Sequence, residues 1–216
     1  NVNITVASST LVAGALGASV QIDRNARGLI ALSSNVMSGG RYGVWIATAA
    51  AGTEVRVTSN TVVVSVSAAF DTAGLFFDGL QTGATLEHNT VVVRAAGSMG
   101  AQTLRALHVK SSRGLLISRN RLSNPGMVTG GGVELVRLDD ADDVEFGAAD
   151  LFSTGTALSN AYLVRAVNGS TGLRMSANIL FSSFTVSGAS ATIELDATSP
   201  VAYADYNDYF SSNSLL

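Results

Sequence analysis

Lys110 is the only lysine in this chain, Trp45 its only tryptophan, and His108 one of its two histidines. All three sit at matching places in short segments where apolar residues alternate with others. Aligned, the segments read Val20-Gln21-Ile22-Asp23, Val44-Trp45-Ile46-Ala47, Leu75-Phe76-Phe77-Asp78, Leu107-His108-Val109-Lys110, Val136-Arg137-Leu138-Asp139, Val164-Arg165-Ala166-Val167 and Ile193-Glu194-Leu195-Asp196. If the first and third residues of each fill a core, the second and fourth face solvent. One outward column then holds Gln21, Trp45, Phe76, His108, Arg137, Arg165 and Glu194, with room for a one-residue slip at Phe76 and Arg165. Its neighbour holds Asp23, Ala47, Asp78, Lys110, Asp139, Val167 and Asp196. Aromatic faces accept sugar rings, and cationic groups accept uronate or sulfate. Trp45, Phe76, Asp78, His108, Lys110, Arg137, Asp139 and Arg165 therefore form a candidate substrate-binding strip. Proton abstraction α to a carboxylate is the most demanding chemistry such a set could serve. It needs a base with a pKa near neutral and a cation over the developing enolate. Lys110 between Asp78 and Asp139 is pushed the wrong way, because opposite charges favour the ammonium form. The plainer reading is an alternating-sign column on an exposed sheet, each pair worth about 0–1 kcal/mol. That reading ranks first, binding without catalysis second and catalysis third.

Other clusters are weaker. Asp139-Asp140-Ala141-Asp142-Asp143 is the densest run of charge, and oxygen-rich clusters take Ca²⁺. The spacing of Asp139, Asp140, Asp142 and Asp143 matches no calcium loop, so a solvated acidic corner is preferred and no cofactor is expected beyond a calcium option. Gly130-Gly131-Gly132 is not followed by Lys-Ser/Thr and does not open a helix, which makes it a turn. His88 has no ligand spacing to His108, and no nucleophile elbow is present.

The elements that must position the strip are strands, because apolar residues recur with a period of two. A second motif punctuates them: apolar, any, apolar, two residues, Asn, any, apolar. It places Asn35 in Ile30-Ala31-Leu32-Ser33-Ser34-Asn35-Val36-Met37, and repeats at Asn60, Asn89, Asn120, Asn178 and Asn207. Asn3 is assigned to the start of the series, and Asp150 stands roughly where one copy is missing. Spacing of about 29 residues with strand alternation indicates a solenoid. Asn tolerates left-handed backbone, so it is expected to turn each corner itself while its amide bonds to the amides above and below.

On these frames the chain resembles the right-handed parallel β-helix family, the pectate-lyase-like superfamily with its internal Asn ladder. The resemblance covers essentially the whole chain. It implies an all-β, right-handed, single-stranded parallel β-helix of about seven coils, roughly 34 Å long at ~4.8 Å per coil. It also implies that polysaccharide, where bound, lies across the sheet carrying the strip. Lyases of this fold use calcium with Lys or Arg as proton-transfer groups, which would make Lys110 the base with Arg137 or His108 assisting. The hydrolase branch's paired aspartates with Gly-His-Gly and Arg-Ile-Lys, and the epimerase Asp-Pro-His-Asp motif, are missing. This fold carries enzymes and inert stalks alike, so it does not decide activity.

Composition agrees with a β-rich chain: 22 glycines, two prolines and no cysteine. Charged residues make up 13 % and the net charge is −3, too little to imply a nucleic-acid partner. No uninterrupted apolar run of ~18 residues marks a membrane span. The expectation is one domain over residues 1–216, a piece of a longer secreted or cell-surface repeat protein, acting as a rigid stalk or adhesion surface with weak glycan binding on one sheet. The alternative is a uronate-directed polysaccharide lyase or hydrolase. Expected partners are polysaccharide or another copy meeting an open solenoid end.

Overall fold

Alternation of Val, Ile and Leu with polar residues leaves each segment one apolar face, which it can bury only by stacking on copies of itself. The computed structural model, which describes residues 3–23, 27–47, 52–66, 70–95 and 98–215, has this arrangement. Three parallel sheets wind as a β-solenoid of about seven turns, and no helix occurs among the described residues. The first sheet has eight strands, from Ile4–Ala7 to Val201–Asp205; the second has nine, including Thr10–Val12, Asp208–Ser211 and Ser214–Leu215; the third has seven, from Ala18–Ile22 to Ser190–Leu195.

The corner between the first and second sheets holds the asparagines. Asn35 donates from its backbone N and from Nδ2 to Asn60 Oδ1, both at 3.0 Å. Asn60 bonds Asn89 in the same way at 3.0 Å, and Asn89 bonds Asn120 at 2.9 Å. Asn178 repeats the pattern onto Asn207 at 3.0 and 2.8 Å. Each amide also donates inward, as Asn60 does to Leu32 O at 2.8 Å. Asn35, Asn60, Asn89, Asn120 and Asn178 are all buried, so the bonds replace water that cannot reach the bend.

Three details depart from expectation. Asn3 lies outside the column; it accepts from Leu29 N at 3.1 Å, while Ser9 holds the corner position and its N–H donates to Asn35 Oδ1 at 3.0 Å. Asp150 is one residue off. Arg121 pairs with Asp150 in register, so Asn120 stands beside the buried Ala149, whose N–H donates to Asn178 Oδ1 at 3.0 Å. The left-handed residue is the one before each column position: Ser8, Ser34, Ser59, His88, Arg119, Ala148, Ala177 and Tyr206 all have φ of 49–57°. The amide must point into the stack, and an extended backbone delivers it there; its neighbour takes the bend.

The core trades volume between two facing columns. On the third sheet Gly43, Gly74, Ala106, Leu135 and Leu163 stack inward. Val64, Val93, Asn124, Ser153 and Ser182 succeed one another on the second sheet. A methyl added to Gly43 or Gly74 would overlap Val62 or Val91, respectively. Where one column swells the other shrinks, which keeps the interior close-packed from coil to coil.

Candidate functional site

The outward face of the third sheet carries the strip in the register read from the sequence. Gln21 pairs with Trp45, Trp45 with Phe76, Phe76 with His108, His108 with Arg137, Arg137 with Arg165 and Arg165 with Glu194. No slip occurs at Phe76 or Arg165. The second column aligns Ala47, Asp78, Lys110, Asp139 and Val167.

A third outward column, three residues before the first, went unassigned in the sequence: Tyr42, Ala73, Arg105, Glu134, Tyr162 and Ala191. Its signal was present as a constant offset of three. It was obscured because two consecutive residues turn inward between the columns, as Ala106 and Leu107 do, which breaks the period of two. This column supplies the strip's two ends.

At one end lies an aromatic ledge. Tyr42, Trp45 and Phe76 have ring centroids 5.3, 5.6 and 6.1 Å apart, and His108 stacks on Phe76 at 4.8 Å. Arg41 sits over Tyr42 at 5.0 Å and over Phe70 at 5.3 Å. Such ring contacts hold the side chains in fixed orientations.

At the other end lies an ion network centred on Glu134, which is only 4 % exposed. Glu134 accepts from Arg105 at 2.7 Å, Arg137 at 2.8 Å and Arg165 at 2.6 Å. Arg105 also reaches Asp71 at 3.1 Å, Arg137 reaches Asp139 at 3.1 Å, and Arg165 pairs with Glu194. Arg165 lies over Tyr162 at 4.8 Å. Burial pushes the Glu134 carboxyl up, but Arg105, Arg165 and Arg137 together hold it below the usual carboxylate range. Asp139 is likewise held low: burial raises it, and its bonds from Asn168 and Arg137 outweigh that.

His108 lies between the two ends. Burial, then the charges of Arg105 and Arg137, depress its pKa to about 3, so the ring is neutral at physiological pH. Its Nε2 and the Trp45 Nε1 are buried and lack a hydrogen-bond partner among the described residues. Lys110 lies 4.0 Å from Asp78 and is half exposed. The alternating column expected of Asp78, Lys110 and Asp139 is only half made, because Asp139 turns to Arg137 and to Asn168, whose Nδ2 donates to it at 2.6 Å.

The acidic run is dispersed. Asp140 and Asp143 have left-handed backbone, and Asp142 accepts from the Thr171 hydroxyl at 2.6 Å. Among the described residues no three His, Cys, Asp or Glu side chains converge as metal ligands would. The same corner holds a serine stack that also went unassigned. Ser112, Ser170 and Ser199 hydroxyls accept from Leu80 N at 2.9 Å, Ala141 N at 3.1 Å and Ser170 N at 3.0 Å.

Chemically, the strip can stack a ring on Tyr42, Trp45 and Phe76 and present one loosely held cation at Lys110. The guanidiniums of Arg105, Arg137 and Arg165 are occupied by carboxylates of the chain itself, and that of Arg41 lies on the rings of Tyr42 and Phe70. No protein-family model, no curated protein and no solved structure matches this chain.

Proposed function

We propose that this chain is a rigid, non-catalytic β-helical module of the pectate-lyase-like type, working at the cell surface or outside the cell as a stalk or adhesion surface. The observation that carries this reading is the closed network around Glu134. Arg105, Arg137 and Arg165 are neutralised within the protein, and the one histidine of the strip has its Nε2 buried. A base for proton abstraction needs both access to substrate and a pKa near neutral. Strip chemistry then reduces to the ledge of Tyr42, Trp45 and Phe76, which suits the apolar face of a sugar ring. With Arg105, Arg137 and Arg165 spent on carboxylates, such contacts are weak, so binding through this sheet depends on many copies acting together.

Lys110 supports the alternative of a polysaccharide lyase, because it is the least restrained cation on the strip. One experiment separates the two. The purified chain is incubated with polygalacturonate, alginate and neutral glycans while unsaturated product is followed by ultraviolet absorbance, and retention is measured by affinity electrophoresis. The stalk reading expects no turnover, with slight retention on one neutral glycan that Trp45→Ala removes. Unsaturated product that disappears in Lys110→Ala would replace it with the lyase reading.

A further inference from the structure

We propose a second binding site, on the second sheet, for a sulfated sugar ring. It lies on a different face from the aromatic ledge and stands on different residues. One outward column of that sheet runs Val63, Val92, Ser123, Phe152, Phe181 and Phe210. Ser123 breaks this apolar series with a small side chain that is only 7 % exposed, and its hydroxyl turns down to Val91 O at 3.5 Å. The result is a notch one strand wide between Val92 and Phe152. Pro125, where the register shifts after Asn124, lines it as well.

The Phe152 wall is held from behind. Its ring stacks on Phe181 at 5.0 Å and 14°, while Ser123 leaves the side toward the notch without a ring. The space measures about 290 Å³. That is near the lower bound of about 300 Å³ for small-molecule pockets, enough for one ring and no more.

Arg94, Arg121 and Thr90 complete the lining. Both arginines are exposed, and neither side chain has a hydrogen bond or ion pair among the described residues. Arg121 pairs in register with Asp150, yet the two make no ion pair. The contrast with the third sheet is sharp, since there Arg105, Arg137 and Arg165 are all matched by carboxylates. Two unmatched guanidiniums at one notch repel each other, and an anion between them relieves that repulsion.

The cost of desolvation decides which anion fits. A carboxylate can engage several guanidiniums, as Glu134 does, but at an exposed notch it must shed a tightly held hydration shell; a sulfate ester is weakly hydrated, as a guanidinium is, and its three free oxygens engage both forks. An apolar wall beside a pair of guanidiniums therefore matches a pyranose whose C–H face lies on Phe152 and whose sulfate reaches Arg94 and Arg121. A peptide adding as a strand is disfavoured, because the notch lies on the face of a sheet and not along a free edge.

The test is isothermal titration of the whole chain with a monosulfated galactose disaccharide. Its desulfated form, a galacturonate disaccharide, galactose 6-phosphate and hexaglutamate serve as comparisons. The site predicts binding of the sulfated sugar that weakens at least tenfold in the Arg94→Ala/Arg121→Ala double variant and in Ser123→Phe, which fills the notch. It also predicts that binding weakens with added salt and is untouched by Trp45→Ala. Equal binding of the desulfated sugar overturns the proposal, as does binding of galacturonate, the phosphate or hexaglutamate at least as tight. Retention of affinity in the double variant does the same. Self-association through this face, detected by sedimentation and abolished by Phe181→Ser, would assign the surface to a second copy instead. A sulfated sugar bound here with no retention by the ledge leaves this site standing and removes only the glycan role of Trp45.

Discussion

His108 behaves as a core residue despite its outward position. Stacked on Phe76 and facing Arg105 and Arg137, with Asp139 and Glu134 as its counter-charges, it is held neutral with a pKa of about 3, against 6.5 for the free side chain. Between those values the unfolded chain binds a proton that the folded chain does not, so stability falls as pH falls from about 6.5 toward 3, at up to about 1.4 kcal/mol per pH unit. Glu134 and Asp139 are depressed carboxyls. Their contribution is present above the free values of 4.5 and 3.8 and is lost as pH drops through their lower folded values. The window from about 4.5 to 6.5 therefore isolates the buried histidine. Urea denaturation across that window should show the slope in the native chain and a clearly smaller one in His108→Phe, which keeps the ring stack. An unchanged slope would show that another group carries it.

At the scale of the sheet, the two kinds of ion pair on one strip differ in worth. Glu134 is buried among three guanidiniums, and its removal leaves each of them with only one carboxylate, Asp71, Asp139 or Glu194, at a cost of about 3 kcal/mol, the lower end for breaking a buried pair. Lys110 and Asp78 are part-exposed and 4.0 Å apart, a separation at which such pairs contribute under about 1 kcal/mol. Chemical denaturation of Glu134→Ala and Lys110→Ala should therefore give widely separated midpoints. Equal losses would mean that the network is no better than a surface pair. The Lys110 column was legible from the sequence because it lies two residues after the Trp45 column, with one inward apolar residue such as Val109 between them. Arg105 and Glu134 were not, because the paired inward residues before His108 and Arg137 shift their phase.

Across the whole molecule the controlling quantity is the width of the interior. Gly43 and Gly74 let the third sheet approach Val62 and Val91, whereas farther along the coil Leu135 and Leu163 fill that space and serines face them. Gly74→Ala should destabilise by about 1–3 kcal/mol through overpacking, as read from the thermal midpoint. Combined with Val91→Ala the losses should sum to less than the separate values, since the two sites share one contact. Strict additivity would show that the columns do not touch.

The amino-acid sequence by itself determined the period, the strand alternation, the parallel stacking, the register of the Trp45 column and the corner role of six asparagines. These are local patterns repeated along the chain, and a solenoid converts sequence period directly into spatial neighbourhood. The sequence misplaced Asn3 and Asp150 because their composition resembled the motif while their phase did not. Only the tertiary structure decided which arginines are spent on carboxylates of the chain and which are left open to a ligand. That depends on side-chain reach between coils, and no spacing along the chain encodes it.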